Sequence, residues 1–171
     1  LKFPYYKKLG YPEGVYRVGP LGRLNAVSQI DTPLANAEFQ RFKTLNHGLP
    51  VENTLHYHYA RLIETLFAAE RARILLEDPD ILSSDILNTH QEPQEQGVGV
   101  IEAPRGTLIH HYWVNSYGQI SKANLIVATG HNNYAMSKAV DDVAKTYVHG
   151  PDISEGMLNR VEHAIRAHDP C

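Results

Sequence analysis

Two short stretches of this sequence carry side chains that could do chemistry. In IEAPRG, Glu102 and Arg105 interrupt an otherwise apolar run, and a guanidinium placed there needs an anion or several acceptors for its five donors. In DPC, Asp169 stands two residues before Cys171, whose thiolate would be a soft ligand suited to nickel, zinc or an iron–sulfur cluster. Spacing alone also allows an Arg105–Glu102 ion pair at a sheet edge and an inert lone cysteine.

Histidine is the other abundant metal-ligating residue, with ten copies, but its spacing argues against a metal site. His56 and His58 lie two residues apart on a predicted helix, and residues at that spacing do not share a helix face. His110 and His111 are neighbours on a predicted strand, so their side chains point to opposite sides of the sheet. We therefore expect these pairs to be surface or partly buried histidines.

The bulk composition favours one globular domain and excludes several classes of protein. The chain has 171 residues, of which 43% are hydrophobic and 20% charged, with a formal net charge of −3. No basic block indicates nucleic-acid binding, and no apolar run approaches the roughly 20 residues of a membrane span. The start of the sequence lacks the apolar core of a signal peptide. A single cysteine excludes an internal disulfide framework, which fits a reducing compartment.

The elements that must position these residues begin with a loop-rich entry and a short helix. Glycine and proline are dense over residues 1–25, which predicts irregular but ordered backbone. A helix follows, because Thr32 can cap it, Pro33 suits its first turn and Gly48 lies just past its end.

The strongest helical pattern covers residues 53–78, with Asn53 as the expected cap and Pro79 as the stop. Its apolar stripe, at spacings of three and four residues, consists of Leu55, Tyr59, Leu62, Leu66 and Ala69. A polar, exposed connection is expected over residues 83–97.

Residues 98–129 contain the β signal, and two helices follow within residues 132–169. VGVIEAP, TLIHHYWV and QISKANLIVAT are rich in β-branched and aromatic residues, and NSYG separates the last two as a hairpin turn would. We therefore predict one antiparallel sheet and an α+β fold that is mainly helical.

Both C-terminal helices have start signals and an apolar face. Asn132 or Asn133 can begin the first, which is expected to reach Gly150, and Ser154 can cap the second, which Pro170 ends. The expected inward residues are Met136, Val140, Val143 and Tyr147 in the first helix and Leu158, Val161 and Ile165 in the second.

Five segments, in order and over nearly the whole chain, resemble the large, catalytic subunit of nickel–iron hydrogenases. They are GVYRVGPLGRLN (14–25), HYHYARLIETL (56–66), EAPRGTLIHHY (102–112), NLIVATGHNN (124–133) and AIRAHDPC (164–171). The resemblance is strongest to the cytoplasmic, multi-subunit branch, which includes NAD-linked and coenzyme-F420-nonreducing enzymes. It implies the C-terminal part of the large subunit, because the family's Arg-x-Cys-x-x-Cys motif is absent and its Asp-Pro-Cys-x-x-Cys-x-x-His motif stops here at the first cysteine.

The resemblance implies a nickel–iron centre with cyanide and carbon monoxide ligands, incomplete in this chain. Cys171 matches a terminal nickel ligand, which can also act as the base that takes a proton from H2. Arg105 matches the arginine that donates hydrogen bonds to an iron-bound cyanide, and Asp169 would pair with it and fix its direction. Pro104 would shape the same wall. Glu102 is expected to be a structural partner without a catalytic role.

Three further positions also match the family. Ala128 and Thr129 align with the stretch that binds the second cyanide, although Ala128 stands where proline is common in the family. Leu125 aligns with a residue whose backbone carbonyl binds a magnesium or iron ion near the C-terminus. That ion's other protein ligands are expected to lie outside this chain.

The resemblance implies an enzyme that reversibly splits H2 into protons and electrons in the cytoplasm. Its expected partners are the N-terminal remainder of the large subunit, an iron–sulfur small subunit, and further electron-transfer subunits. No nucleic acid and no membrane span are expected, and this chain alone should be inactive. The alternatives are a metal-free structural or electron-transfer-coupling subunit, like the relative in respiratory complex I, and an isolated interaction or maturation fragment. The sequence Asp169-Pro170-Cys171 favours the hydrogenase, because the complex I relative lacks the cysteines.

Overall fold

The computed structural model describes residues 3–87, 92 and 94–170, and within them it confirms the predicted α+β fold. Along the chain, three α-helices precede a three-stranded sheet and two follow it. In chain order the elements are α1 (Pro20–Ala26), α2 (Pro33–Thr44), α3 (His56–Glu77), β1 (Gln96–Ala103), β2 (Gly106–Val114), β3 (Ile120–Ile126), α4 (Asn133–Tyr147) and α5 (Glu155–Ala167). Two 3₁₀ helices span Pro79–Leu82 and Ala128–Asn132. No helix in these described ranges is long and apolar enough to cross a membrane.

The core is helical and joins the first three helices to the end of α5. Its buried members are Leu21, Leu24, Phe39, Phe42, Val51, Tyr57, Ala60, Ile63 and Ala167. The prediction of irregular backbone over residues 1–25 is therefore wrong from Pro20 onward, where α1 begins. Gly19 turns the chain with a φ of 89°, Pro20 suits a first helical position, and the buried leucines hold the short helix.

The N-terminus of α2 is capped from another helix and not by its own N-cap residue. Thr32 lies at the predicted position but makes no side-chain cap hydrogen bond. The Glu70 carboxylate on α3 instead accepts the backbone N–H groups of Leu34 at 3.1 Å and Ala35 at 2.9 Å. A carboxylate is favourable there because the unpaired N–H groups give a helix N-terminus partial positive charge.

The predicted inward faces of α3 and α5 are only partly right, because Tyr59, Val161 and Ile165 are partly buried but other predicted members are exposed. In α3 the buried residues are Tyr57, Ala60 and Ile63, whereas Leu62 of the predicted stripe is 67% exposed. In α5 the buried residues are Ala164 and Ala167, and Leu158 is exposed. Apolar residues lie on more than one face of these helices, and periodicity within one helix does not decide which face meets the core.

The helix boundaries agree with the predictions except at the start of α3, at the end of α4 and at the end of α2, which lies at Thr44 and not just before Gly48. Asn53 accepts the Leu55 N–H but lies outside α3, which begins at His56. Asn132 directly precedes α4 without capping it, and α4 ends at Tyr147 instead of Gly150. Ser154 does cap α5, where its hydroxyl accepts the Met157 N–H.

The sheet is antiparallel in the order β1-β2-β3, as predicted. The β2–β3 hairpin uses the predicted NSYG turn, in which the Asn115 side-chain oxygen accepts the N–H groups of Tyr117 and Gln119 at 3.0 Å. In the β1–β2 hairpin, Ala103 pairs with Gly106, so that Pro104 and Arg105 form the turn between the strands. The sheet therefore presents Arg105 at its end.

The observed face of α3 can be tested with two neighbouring substitutions. Ile63→Ala should lower the free energy of unfolding by about 2–5 kcal/mol, because Ile63 is 1% exposed and its loss leaves a cavity. Leu62→Ala should change it by less than about 0.5 kcal/mol, since that side chain is mostly in solvent. Urea denaturation of the chain measures both, and a larger effect at Leu62 would restore the predicted stripe.

Candidate functional site

The turn that carries Arg105 is held by close backbone packing. Gly106 has a φ of 141°, and a Cβ there would lie 2.3 Å from Val18 Cγ2 and 3.1 Å from the Ala128 carbonyl oxygen. A Cβ on Gly19 would lie 3.0 Å from the Arg105 carbonyl oxygen. The segment before α1, the β1–β2 turn and the segment after β3 therefore meet at one place, which brings Ala128 beside the Arg105 turn.

Arg105 is paired with Asp169 across 64 residues of sequence. Its Nε donates to the Asp169 backbone carbonyl at 3.0 Å and lies 3.1 Å from the carboxylate Oδ2. Both side chains are about two-fifths exposed, at 41% and 43%. Both acceptors are atoms of Asp169 and both lie at Nε. Among the described residues, Asp169 therefore holds the Arg105 guanidinium from its Nε side. The two terminal nitrogens carry four further N–H donors.

The alternative Arg105–Glu102 ion pair does not form, because Glu102 is bound to Arg23. The Glu102 carboxylate lies 2.9 Å from Arg23 Nη1 and also accepts the Thr107 hydroxyl. Burial by itself raises the pKa of Glu102, but these hydrogen bonds outweigh it and lower the pKa below its ordinary value. Glu102 is thus an ionised structural partner, as expected from the sequence.

Arg23 uses all five of its donors, and it was not among the residues predicted to matter. Its Nε and Nη2 bind both oxygens of Glu64 on α3 at 2.7 Å and 2.6 Å. Its Nη1 donates to Glu102 and to the Ala103 carbonyl, and Nη2 also donates to the Pro104 carbonyl, each at 2.9 Å. The one signal available in the sequence was an arginine within the apolar, glycine-rich GPLGRLN.

The segment after β3 is fixed by buried polar side chains. Asn132 bonds both backbone groups of Val18, at 2.9 Å to its N–H and 3.1 Å to its carbonyl. His131 is 2% exposed, and its Nδ1 lies 2.6 Å from the Tyr16 hydroxyl. Burial lowers the pKa of His131, which favours the neutral form of the ring near the turn. This 3₁₀ helix begins at Ala128, which is itself buried.

The segment that leads to Asp169 is held against α3. His168 is 3% exposed, and its ring packs on Tyr57 with 4.8 Å between centroids. Arg61 donates from Nη2 to the Ala167 carbonyl at 3.0 Å. Burial, with smaller contributions from Arg17 and Arg61, lowers the pKa of His168 to about 4. Asp169 then turns with a φ of 49°, a conformation that aspartate tolerates.

The remaining candidate residues are distributed unevenly. Leu125 lies in β3, paired with His110, and is 46% exposed. Cys171 lies outside the described residues. Within the described ranges no three histidine, cysteine or acidic side chains group as metal ligands. The His110 Nδ1 lies 2.9 Å from the Tyr112 hydroxyl, and His111 stacks on Trp113 with 3.6 Å between ring centroids.

Comparison with known proteins places the whole chain in one family. A family described as nickel-dependent hydrogenase matches residues 1–171. The chain is 47% identical to the beta subunit of the NAD-reducing hydrogenase HoxS of Cupriavidus necator, and 45% identical to an F420-non-reducing hydrogenase chain of Methanothermobacter thermautotrophicus. Each match covers all of this chain and 36% of the relative, so the chain spans about a third of the length of these proteins.

A solved structure agrees with the sequence matches. The crystal structure of an NAD⁺-reducing nickel–iron hydrogenase in its H2-reduced state superposes with a TM-score of 0.93. Sequence identity is 48%, and the match covers all of this chain and 38% of that one. The arrangement of helices, sheet and C-terminal segment described above is therefore a fold that occurs in a hydrogenase.

Gly106→Ala should disrupt the packing around Arg105. The new methyl group would overlap Val18 in a backbone conformation that L-residues avoid, so we expect a loss of more than about 2 kcal/mol of unfolding free energy. Gly99→Ala is the matched control, because no atom lies within 4 Å of a Cβ at that position of β1. Equal stability of the two variants in thermal denaturation would contradict the close packing.

His168 should make stability depend on pH between about 6.5 and 4. In this window the unfolded chain binds a proton on His168 that the folded chain excludes, so stability falls as the pH falls from about 6.5 to about 4. The free energy of unfolding is therefore up to about 3 kcal/mol larger above this window than below it. His168→Phe should remove this part of the slope, whereas His149→Phe, at an exposed position, should keep it. Urea denaturation at pH 7 and pH 4 measures the difference, and an unchanged slope in His168→Phe would refute it.

Proposed function

Because the chain belongs to the nickel-dependent hydrogenase family, we propose that it is part of a catalytic subunit that reversibly splits H2 into protons and electrons. The observation that supports this most directly is the Arg105–Asp169 pair, because Asp169 stands two residues before the chain's single cysteine. This pair joins a permanent cation on the sheet to the segment that carries a soft metal ligand.

The donors of Arg105 and of the neighbouring segment at Ala128 and Thr129 fit an anionic nickel–iron centre. Asp169 holds Arg105 through Nε, which leaves a charged, planar group with further donors for an anion. Ala128 lies beside the Arg105 turn, where its carbonyl oxygen approaches Gly106, and Thr129 follows it in the 3₁₀ helix. The chain has one thiol, so the other thiolates of the centre would come from the rest of the large subunit.

Each residue of the wall has a distinct role in the proposal. Cys171 would hold nickel through Sγ, and its thiolate would be the base for the proton that H2 cleavage releases. Arg105 would donate hydrogen bonds to an iron-bound cyanide through its planar, cationic guanidinium. Asp169 positions Arg105, and Pro104 shapes the wall behind it. When bound, the centre supplies the redox chemistry that cleaves H2.

Two further groups complete the proposed site. Ala128 and Thr129 donate to the second cyanide through backbone N–H groups and the Thr129 hydroxyl. The Leu125 backbone carbonyl binds a magnesium or iron ion near the C-terminus of the large subunit. Their places support these roles, since β3 carries Leu125 and leads directly into the 3₁₀ helix that begins at Ala128.

The proposal also includes the partners of the complete enzyme. The electrons pass to an iron–sulfur small subunit, then to further electron-transfer subunits, in an enzyme that works in the cytoplasm. The names of the relatives, NAD-reducing and F420-non-reducing hydrogenase, support a multi-subunit assembly of this kind. The N-terminal remainder of the large subunit supplies the second half of the metal site.

Arg105→Lys in the complete enzyme tests the proposal. Lysine keeps the charge but loses the planar fork and the Nε bond to Asp169, so H2 oxidation should fall by about 100-fold or more while nickel stays bound. Arg41→Lys is the control, because the Arg41 side chain is 76% exposed and pairs only locally with Glu38. Hydrogen uptake and elemental analysis measure the two effects. Wild-type turnover in Arg105→Lys would remove Arg105 from the mechanism.

A further inference from the structure

Arg23 binds the two peptide carbonyls that immediately precede Arg105. It donates to the carbonyls of Ala103 and Pro104 at 2.9 Å each. From the other side, Gly19, at the start of the same helix, packs against the Arg105 carbonyl. The backbone orientation at Arg105 is therefore set by contacts from α1, although the two arginine side chains share no hydrogen bond within the part of the chain that the structure describes.

The charge of Arg23 is anchored on two other elements. Glu64 on α3 binds it with both carboxylate oxygens, and Glu102 on β1 binds the opposite edge. The pKa of Arg23 is raised, first by the hydrogen bond to Glu64, so the guanidinium stays charged although it is partly buried. Its side chain is 24% exposed. A bidentate pair of this kind fixes direction as well as distance.

Thr107 closes this arrangement around the turn. Its hydroxyl donates to the Glu102 oxygen that does not bind Arg23, and the two residues face each other across the β1–β2 register. The Glu102 carboxylate, on the strand before the turn, thus binds both Thr107 on the strand after it and the Arg23 guanidinium.

We propose that Arg23, held by Glu64, Glu102 and Thr107, is the positioning residue for Arg105 in the reaction. This inference rests on the proposed function of Arg105. Loss of the arrangement should let the turn shift, which moves the Arg105 guanidinium relative to Asp169 and to the iron-bound cyanide. A displacement of about 1 Å at a positioned group can cost about 100-fold in rate.

A purely structural role makes a different prediction. If Arg23 only stabilises the fold, variants that still fold and bind nickel keep an unchanged environment at the metal. A positioning role changes that environment in folded, metal-loaded protein. The cyanide stretching bands in the infrared spectrum report hydrogen bonding to the cyanide independently of turnover.

The experiment uses the complete enzyme with Glu102→Gln, Thr107→Val and Arg23→Lys. The first two are close in volume to the native residues and leave the Arg23–Glu64 pair in place, so they remain informative if Arg23→Lys fails to load nickel. Glu162→Gln is the matched control, because Glu162 also binds an arginine but in an exposed pair on α5. Nickel content, cyanide bands and H2 turnover are measured for each variant.

We expect shifted or broadened cyanide bands at full nickel content. Turnover should fall several-fold in Glu102→Gln and Thr107→Val and about 10- to 100-fold in Arg23→Lys, with Glu162→Gln unchanged. Unshifted bands in the nickel-loaded variants would overturn the inference, whether or not turnover falls. Arg105→Lys is measured alongside, and unshifted bands in that variant would instead refute the proposed place of Arg105.

Discussion

The structure depends on one part-buried guanidinium that satisfies all of its donors. Arg23 joins α1 to α3 through Glu64, and to the β1–β2 hairpin through Glu102 and two backbone carbonyls. An arginine in such a place is stable only if each N–H finds an acceptor and its charge is balanced. The helical core and the sheet are consequently tied together at the turn that carries Arg105.

The site beside Arg23 is built mainly by contacts between backbone segments. Glycines at positions 19 and 106 let three segments approach within van der Waals contact, and Asn132 holds one of them by both backbone groups of Val18. Burial lowers the pKa of the nearby His131 and His168, which favours the neutral form of both rings. Neighbouring chain segments thus hold the turn that carries Arg105 in place, and Asp169 orients the Arg105 guanidinium through Nε.

Local signals were sufficient for much of the secondary structure. Ser154 caps α5, Pro79 follows the end of α3, and the NSYG turn joins β2 to β3, because each of these depends on residues within a few positions of one another. The order of spaced motifs was also sufficient to indicate the family, which the match over residues 1–171 confirms. These features depend on residues close together in sequence or on the order of motifs, and not on which elements pack together.

Other features were decided only by the tertiary structure. Glu70 caps α2 from 35 residues away, Tyr57 and Ile63 face the core whereas Leu62 of the expected apolar stripe is exposed, and Glu102 binds Arg23 across 79 residues. In each case several side chains of the right type were available, and the choice among them depended on which elements pack together. By itself the sequence determined most element types, though not α1, as well as the β2–β3 hairpin and the family. The folded chain decided which face is buried and which carboxylate each arginine binds, because those free energies depend on distances that folding alone creates.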